Sequence, residues 1–203
     1  MKNKLASALL SAGAVHLRPE QPFTFASGIR SPVYCDNRVL LGNVEARRLM
    51  SMAFAAHAGN AEVLAGPATG GIAWAAWVAE LLSLPMAYVR SSAKGHGRIQ
   101  QIEGANIQGC NVLVLEDTIS TGESALNAIE ALRAADATVE RCICIFTWGW
   151  EATRQRFVDA KVQIEALVTL ADLLDSATND KRLSASQRAI IERWASDPQG
   201  YEG

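Results

Sequence analysis

Residues 111–124, NVLVLEDTISTGES, constrain the chain more than any other stretch. VLVLE is a short continuous apolar run, the pattern of a strand buried on both faces of a parallel sheet. It ends in two adjacent carboxylates, Glu116 and Asp117. The chain then turns through Thr118, Ile119, Ser120, Thr121 and Gly122 into an alanine- and leucine-rich helix expected from Ser124 to Ala135. Backbone N–H groups at a helix N-terminus are unpaired and carry partial positive charge, so they can hold a phosphate. Gly122 admits close backbone approach, and Ser120, Thr121 and Ser124 add hydroxyl donors. The two carboxylates cannot bind phosphate; they suit a sugar diol, or a cation travelling with the phosphate. A group carrying both phosphate and sugar hydroxyls is a ribose 5-phosphate. An ordinary capped turn also favours Ser, Thr and Gly. What sets this stretch apart is the order E-D-x-x-S-T-G-x-S directly after an apolar strand.

Around it the pattern alternates. An amphipathic first helix carries Leu5, Leu9 and Ala12 at helical spacing. Val15 to Asn37 reads as irregular and strand-like, punctuated by Pro19, Pro22, Gly28 and Pro32. Asn43 caps a helix running to about Gly59. Strand 62–66, helix 71–82 and strand 86–90 precede a polar loop from Ser91 to about Gly109. After the central strand and its helix come strand 139–148, a helix near 151–159, a strand at 162–167, and helices near 169–177 and 184–195. Repeated strand–helix units predict an α/β fold, a mostly parallel sheet flanked by helices. Sites in such sheets lie beyond the carboxyl ends of the strands.

At 203 residues, one domain over 1–203 is the expectation. A formal net charge of −2 leaves no nucleic-acid footprint, so an anionic substrate needs a local basic cluster. Arg90, Lys94, His96 and Arg98 supply one in the loop loosened by Gly95 and Gly97; the plainer reading is a solvated charged loop. Cys35, Cys110, Cys142 and Cys144 form no C-x-x-C pair and read as buried free thiols of a reduced cytoplasm. MKNKLASALLSAGA imitates a signal peptide, but its apolar run is short and broken by Ser7 and Ser11. No stretch approaches the ~20 apolar residues that span a bilayer.

The acidic stretch resembles the phosphoribosyl-pyrophosphate (PRPP) signature of the type I phosphoribosyltransferases. Gly66-Pro67-Ala68-Thr69-Gly70-Gly71 is similar to that family's pyrophosphate loop. R-x-x-x-K-x-H-G at 90–97, followed by Q-I-E-G, resembles the mobile catalytic loop of the orotate-specific members. FTFASGIRSPVY at 23–34 resembles their segment forming a hood over the base.

The resemblance implies the type I fold, with a small hood built from residues about 1–40 and the C-terminal segment. It implies transfer of a phosphoribosyl group from PRPP to orotate, giving orotidine 5′-monophosphate and pyrophosphate in pyrimidine synthesis. Arg90, Lys94, His96 and Asp117 are then catalytic. PRPP lies against Arg90, Lys94, His96, Glu116, Asp117, Thr118, Ile119, Ser120, Thr121, Gly122, Glu123 and Ser124. Orotate meets Ser120 and Arg30. Mg²⁺ is held mainly through PRPP, without dedicated protein ligands. Family members are homodimers whose mobile loop, here 91–104, reaches the neighbour's site; neither nucleic acid nor membrane is a partner. The chain departs from the family at Ala26, where some members carry lysine. It has no arginine in FTWGWEAT before Arg154, and it carries Glu123 in the phosphate cradle. Transfer to another nucleobase, and a non-catalytic nucleotide sensor on the same fold, are the alternatives.

Overall fold

The six-stranded sheet is built around the predicted apolar strand. The structure is a computed structural model that describes residues 2–24, 30–91 and 101–198. Its chain divides into two units, residues 48–167 and residues 1–47 with 168–203.

In the smaller unit, α1 (Lys2–Ser11) buries Leu5, Ala6 and Leu9. Two short antiparallel pairs follow: β1 (Val15–Leu17) with β4 (Val33–Cys35), and β2 (Phe23–Thr24) with β3 (Arg30–Ser31). Pro19, Pro22 and Pro32 stand beside these strands and keep them short. A 3₁₀ turn (Asn37–Gly42) leads to α2 (Val44–Ala56), which starts in this unit and continues into the larger one, and whose Ala46 N–H donates to the Asn43 side chain at 3.0 Å, the expected cap. The unit closes with α6 (Leu170–Asn179) and α7 (Ala185–Ser196), each opened by a capping box, Thr169 with Asp172 and Ser184 with Gln187. Lys2 lies 3.8 Å from Asp172, and the Arg182 guanidinium donates to Ser11 at 3.1 Å, so both ends of α1 are tied to the C-terminal segment.

The larger unit holds the sheet. Its elements are β5 (Val63–Pro67), α3 (Gly70–Leu82), β6 (Met86–Val89), β7 (Ile102–Gly104), β8 (Asn111–Ile119), α4 (Glu123–Ala134), β9 (Thr138–Thr147), α5 (Glu151–Asp159) and β10 (Gln163–Thr169). The strand order is β10-β9-β8-β5-β6-β7. β5 pairs parallel with β6 and β8, β8 pairs parallel with β9, and β7 is antiparallel to β6. Val112 to Leu115 on β8 are all nearly inaccessible. α3 buries Gly71, Trp74, Ala75, Val78 and Ala79, and α4 buries Ala125, Ala128, Ile129, Ala131 and Leu132. Both sets follow the three-and-four spacing of a helix that packs one face. No described helix is long and apolar enough to cross a membrane.

Three expectations need correction. The polar loop 91–109 contains β7, too short and too polar for periodicity to reveal; its partner β6 supplies the pairing. Strand β8 runs on through Ile119, because Thr118 and Ile119 remain in register with Phe146 and Thr147 of β9. Of the four cysteines, all free, only Cys142 and Cys144 are buried; Cys35 and Cys110 are half-buried, at a strand end and before a strand.

α3 starts hard against β8. A Cβ on Gly71 would stand 2.4 Å from the Leu115 carbonyl oxygen, a backbone atom that cannot step aside. One on Gly42 would meet nothing within 4 Å. Gly71→Ala is therefore expected to lower Tm by about 4 °C or more, and Gly42→Ala to leave it unchanged or slightly higher. Thermal unfolding of the two variants side by side checks this; equal Tm values would contradict it.

Candidate active site

β5 and β8 are neighbours in the middle of the sheet, yet the chain leaves them in opposite directions, β5 toward β6 and β8 toward β9. Their carboxyl ends form the switch point at which an open parallel sheet leaves a crevice. The two turns found in the sequence meet here. Three glycines make the approach possible. An added Cβ would stand 2.4 Å from the Gly71 carbonyl oxygen at Gly66, and 2.7 Å from the Asp117 carboxyl carbon at Gly70. The third is Gly71, against Leu115. Sequence spacing marked this turn as small-residued; its reason, clearance for the Asp117 carboxylate, becomes visible only in three dimensions.

The acidic pair has a defined environment. Glu116 is 5% exposed, and its carboxylate accepts the Asp117 backbone N–H at 3.0 Å. Asp117 in turn accepts the Thr118 N–H at 2.6 Å. Burial, and then the neighbouring Asp117 charge, push the Glu116 carboxyl up to about 8 from an ordinary 4.5. The two neighbouring carboxyls thus resist double ionisation, and a proton kept between them gives both donor and acceptor capacity toward vicinal hydroxyls.

Beyond the pair, the chain makes the cradle. Ile119 is 1% exposed, so its side chain belongs to the core and only its backbone can face a ligand. Ser120, Thr121, Glu123 and Ser124 are exposed, and Glu123 stands in the first turn of α4. Gly122 precedes that helix with φ +80°, and a Cβ there would lie 2.5 Å from the Phe157 ring. Its glycine is thus required by packing on α5 as well as by the turn. The carbonyls of three successive residues are held from that same side. Thr147 Oγ1 donates to Ile119 at 3.0 Å, Thr153 Oγ1 to Ser120 at 2.6 Å, and Arg156 Nη1 to Thr121 at 3.3 Å. A cavity of about 140 Å³ is lined by Glu116 and by Thr118 through Ala125.

A second cavity, of about 390 Å³, joins three strand ends: Pro67 and Ala68 after β5, Val89, Arg90 and Ser91 after β6, and Thr121, Glu123 and Ser124 after β8. These three segments, which the sequence expected to share one site, line this one cavity. Arg90 lies 3.6 Å from Glu103, a partly exposed ion pair that an incoming anion can replace. Gln101, which the sequence did not single out, lines the cavity and donates to the Arg90 carbonyl at 3.3 Å. Lys94 and His96 lie outside the described residues. Arg30 is exposed on β3 of the smaller unit.

Compared with known proteins, residues 42–169 match the family model described as phosphoribosyl transferase domain. An orotate phosphoribosyltransferase from Listeria innocua is 41% identical over 203 residues, covering 98% of this chain and 97% of its own length. Among solved structures, the orotate phosphoribosyltransferase from Aeropyrum pernix is 34% identical with a TM-score of 0.75, over 86% of this chain and 98% of that one. The UMP synthase of Leishmania donovani gives a TM-score of 0.79 at 26% identity over 95% of this chain, which spans 42% of that longer protein.

The Glu116 environment makes a pH prediction. Its folded-state affinity for a proton exceeds that of the unfolded chain. Its contribution to stability is therefore fully present below about pH 4.5 and is lost progressively as pH rises through about 8. Glu116→Gln removes this penalty. The Tm of the variant minus that of wild type is expected to grow from pH 5 to pH 8 and level off above, within the range set by the raised carboxyl. A difference independent of pH would contradict the assignment.

Proposed function

The chain belongs to the phosphoribosyltransferase family, and from that premise we propose that it transfers the phosphoribosyl group of PRPP to orotate, yielding orotidine 5′-monophosphate and pyrophosphate for pyrimidine synthesis. The observation that carries the reading is the meeting of the Gly66–Gly71 turn with the Glu116–Asp117 pair at the β5/β8 switch point, with Gly70 pressed on the Asp117 carboxylate. It is supported by full-length relatives that carry the orotate name.

A ring nitrogen of orotate gives up its proton, to the departing pyrophosphate or to water, and forms a bond to C1 of the ribose as the C1–O bond breaks and pyrophosphate departs with that bond's electron pair. Bond breaking runs ahead, so charge grows on the leaving group and the ribosyl centre becomes cationic. Glu116 and Asp117 take the ribose diol. The N–H groups and hydroxyls from Thr118 to Ser124 take the 5′-phosphate, with Ile119 contributing backbone alone. Arg90, Lys94 and His96 receive the pyrophosphate, held in place before charge develops. Glu123 is compatible with this only because its side chain is exposed, where water screens it from the phosphate. Ser120 meets the base.

Mg²⁺ takes six oxygens and commonly binds through one or two carboxylates plus substrate phosphates and water. Among the described residues no group of three or more His, Cys, Asp and Glu gathers for a metal. Glu116 and Asp117 together fit an ion that arrives on the substrate's own oxygens. When bound, it neutralises charge on the departing pyrophosphate.

Orotate consumption, followed by absorbance, is expected to require both PRPP and Mg²⁺ and to be absent when uracil or a purine replaces orotate. Turnover of another base in preference to orotate would overturn the substrate; no turnover with any base would favour a sensor. We place the protein in the cytoplasm as a homodimer whose 91–104 loop serves the neighbouring site. Lys94→Ala and Asp117→Asn chains, each inactive, should then restore activity when mixed. Each heterodimer has one site with both residues intact. Heterodimers that form without activity would sink the crossing loop.

A further inference from the structure

We propose that α5 aims the phosphate cradle, with Thr153 as its central positioning residue. The proposal rests on reading Thr118 to Ser124 as the 5′-phosphate subsite and assigns to it residues from a different element. The peptide bonds of this stretch are trans, so each carbonyl and the N–H of the next residue point in opposite directions. Holding the Ile119, Ser120 and Thr121 carbonyls toward β9 and α5 therefore turns the N–H groups of Ser120, Thr121 and Gly122 the other way. Successive N–H groups turned to one side form a concavity for an anion, continued by the unpaired N–H groups at the start of α4. A single carbonyl rotated into that concavity would replace a donor by a repelling oxygen.

Thr153 is the middle of the three donors and the most committed. Its residue is 5% exposed, it sits in the first turn of α5, and its hydroxyl leaves its own helix to reach Ser120 at 2.6 Å. Phe157, one turn further on, fills the space against Gly122, so α5 meets the cradle by packing as well as by hydrogen bonding. Thr153 touches no substrate; it acts through the Ser120 peptide.

The test is calorimetric titration of the full chain with two probes, ribose 5-phosphate and inorganic pyrophosphate. Thr153→Val keeps the shape and removes the donor. It is expected to weaken ribose 5-phosphate by about tenfold, the size of one hydrogen-bonding group's effect, and to leave pyrophosphate binding unchanged. Thr153→Ser restores the hydroxyl and is expected to bind both probes like wild type. Arg156→Ala, at an exposed position that folding tolerates, is expected to weaken ribose 5-phosphate by about threefold and pyrophosphate not at all. Equal loss of both probes, or loss of neither, in the variants that fold would overturn the proposal, since a merely structural role does not discriminate between them. Wild type that takes pyrophosphate but not ribose 5-phosphate would instead overturn the assignment of the subsite itself.

Discussion

Everything in this site depends on how closely the turn after β5 is pressed onto the end of β8. Gly66 lets the turn fold back on its own Gly71. Gly70 and Gly71 leave no side chain between the two strand ends, and Asp117 and Leu115 occupy the space their Cβ atoms would need. A chain with alanine at these positions would have to part the central pair of the sheet by the width of a methyl group. The crevice would then be wider, but its two turns could no longer act on one ligand. Close packing thus comes before chemistry: the same contact that seats α3 on the sheet places the Gly66–Gly71 turn beside the Glu116–Asp117 pair.

The electrostatics follow from that packing. Burial within β8, and then the Asp117 charge beside it, raise the proton affinity of Glu116, so the pair resists double ionisation. A doubly ionised pair would repel a substrate that carries phosphate and pyrophosphate at either end of the sugar. A singly ionised pair accepts and donates, which is what two neighbouring hydroxyls require. In the proposed reading the favourable field for the phosphate comes from elsewhere, from backbone N–H groups whose carbonyl partners are held from β9 and α5. The chain as a whole is slightly acidic, so the attraction is local and built from dipoles and a few loop cations rather than from net charge.

Much of this was legible in the sequence, for identifiable reasons. The continuous apolar run VLVL has the pattern of a doubly covered strand, and the acidic and hydroxyl residues follow it toward the carboxyl end of β8. α4 was marked by its alanine- and leucine-rich composition after the hydroxyl-rich turn, and α3 by its place in the strand–helix alternation. Other features were hidden because they depend on partners distant in sequence. β7 is three residues long and exists through its pairing with β6. Thr118 and Ile119 look like turn residues but are held in the strand by β9. Gly122 reads as a phosphate-loop glycine, while its other constraint, the Phe157 ring, lies thirty-five positions away. Thr153 and Arg156 gave no signal at all: a threonine and an arginine on a polar helix acquire meaning only when the helix is seen against the cradle.

The central claim is that the β5/β8 switch point holds one ribose 5-phosphate, with sugar and phosphate ends assigned. A crystal structure of the chain with PRPP and Mg²⁺ tests it most directly. The account predicts the 2- and 3-hydroxyls within hydrogen-bond reach of Glu116 and Asp117, the 5′-phosphate on the N–H groups from Ser120 to Ser124, and the pyrophosphate toward Arg90 and the Gly66–Gly71 turn. A ligand bound with its pyrophosphate in the α4 cradle, or with its sugar away from the acidic pair, would contradict it.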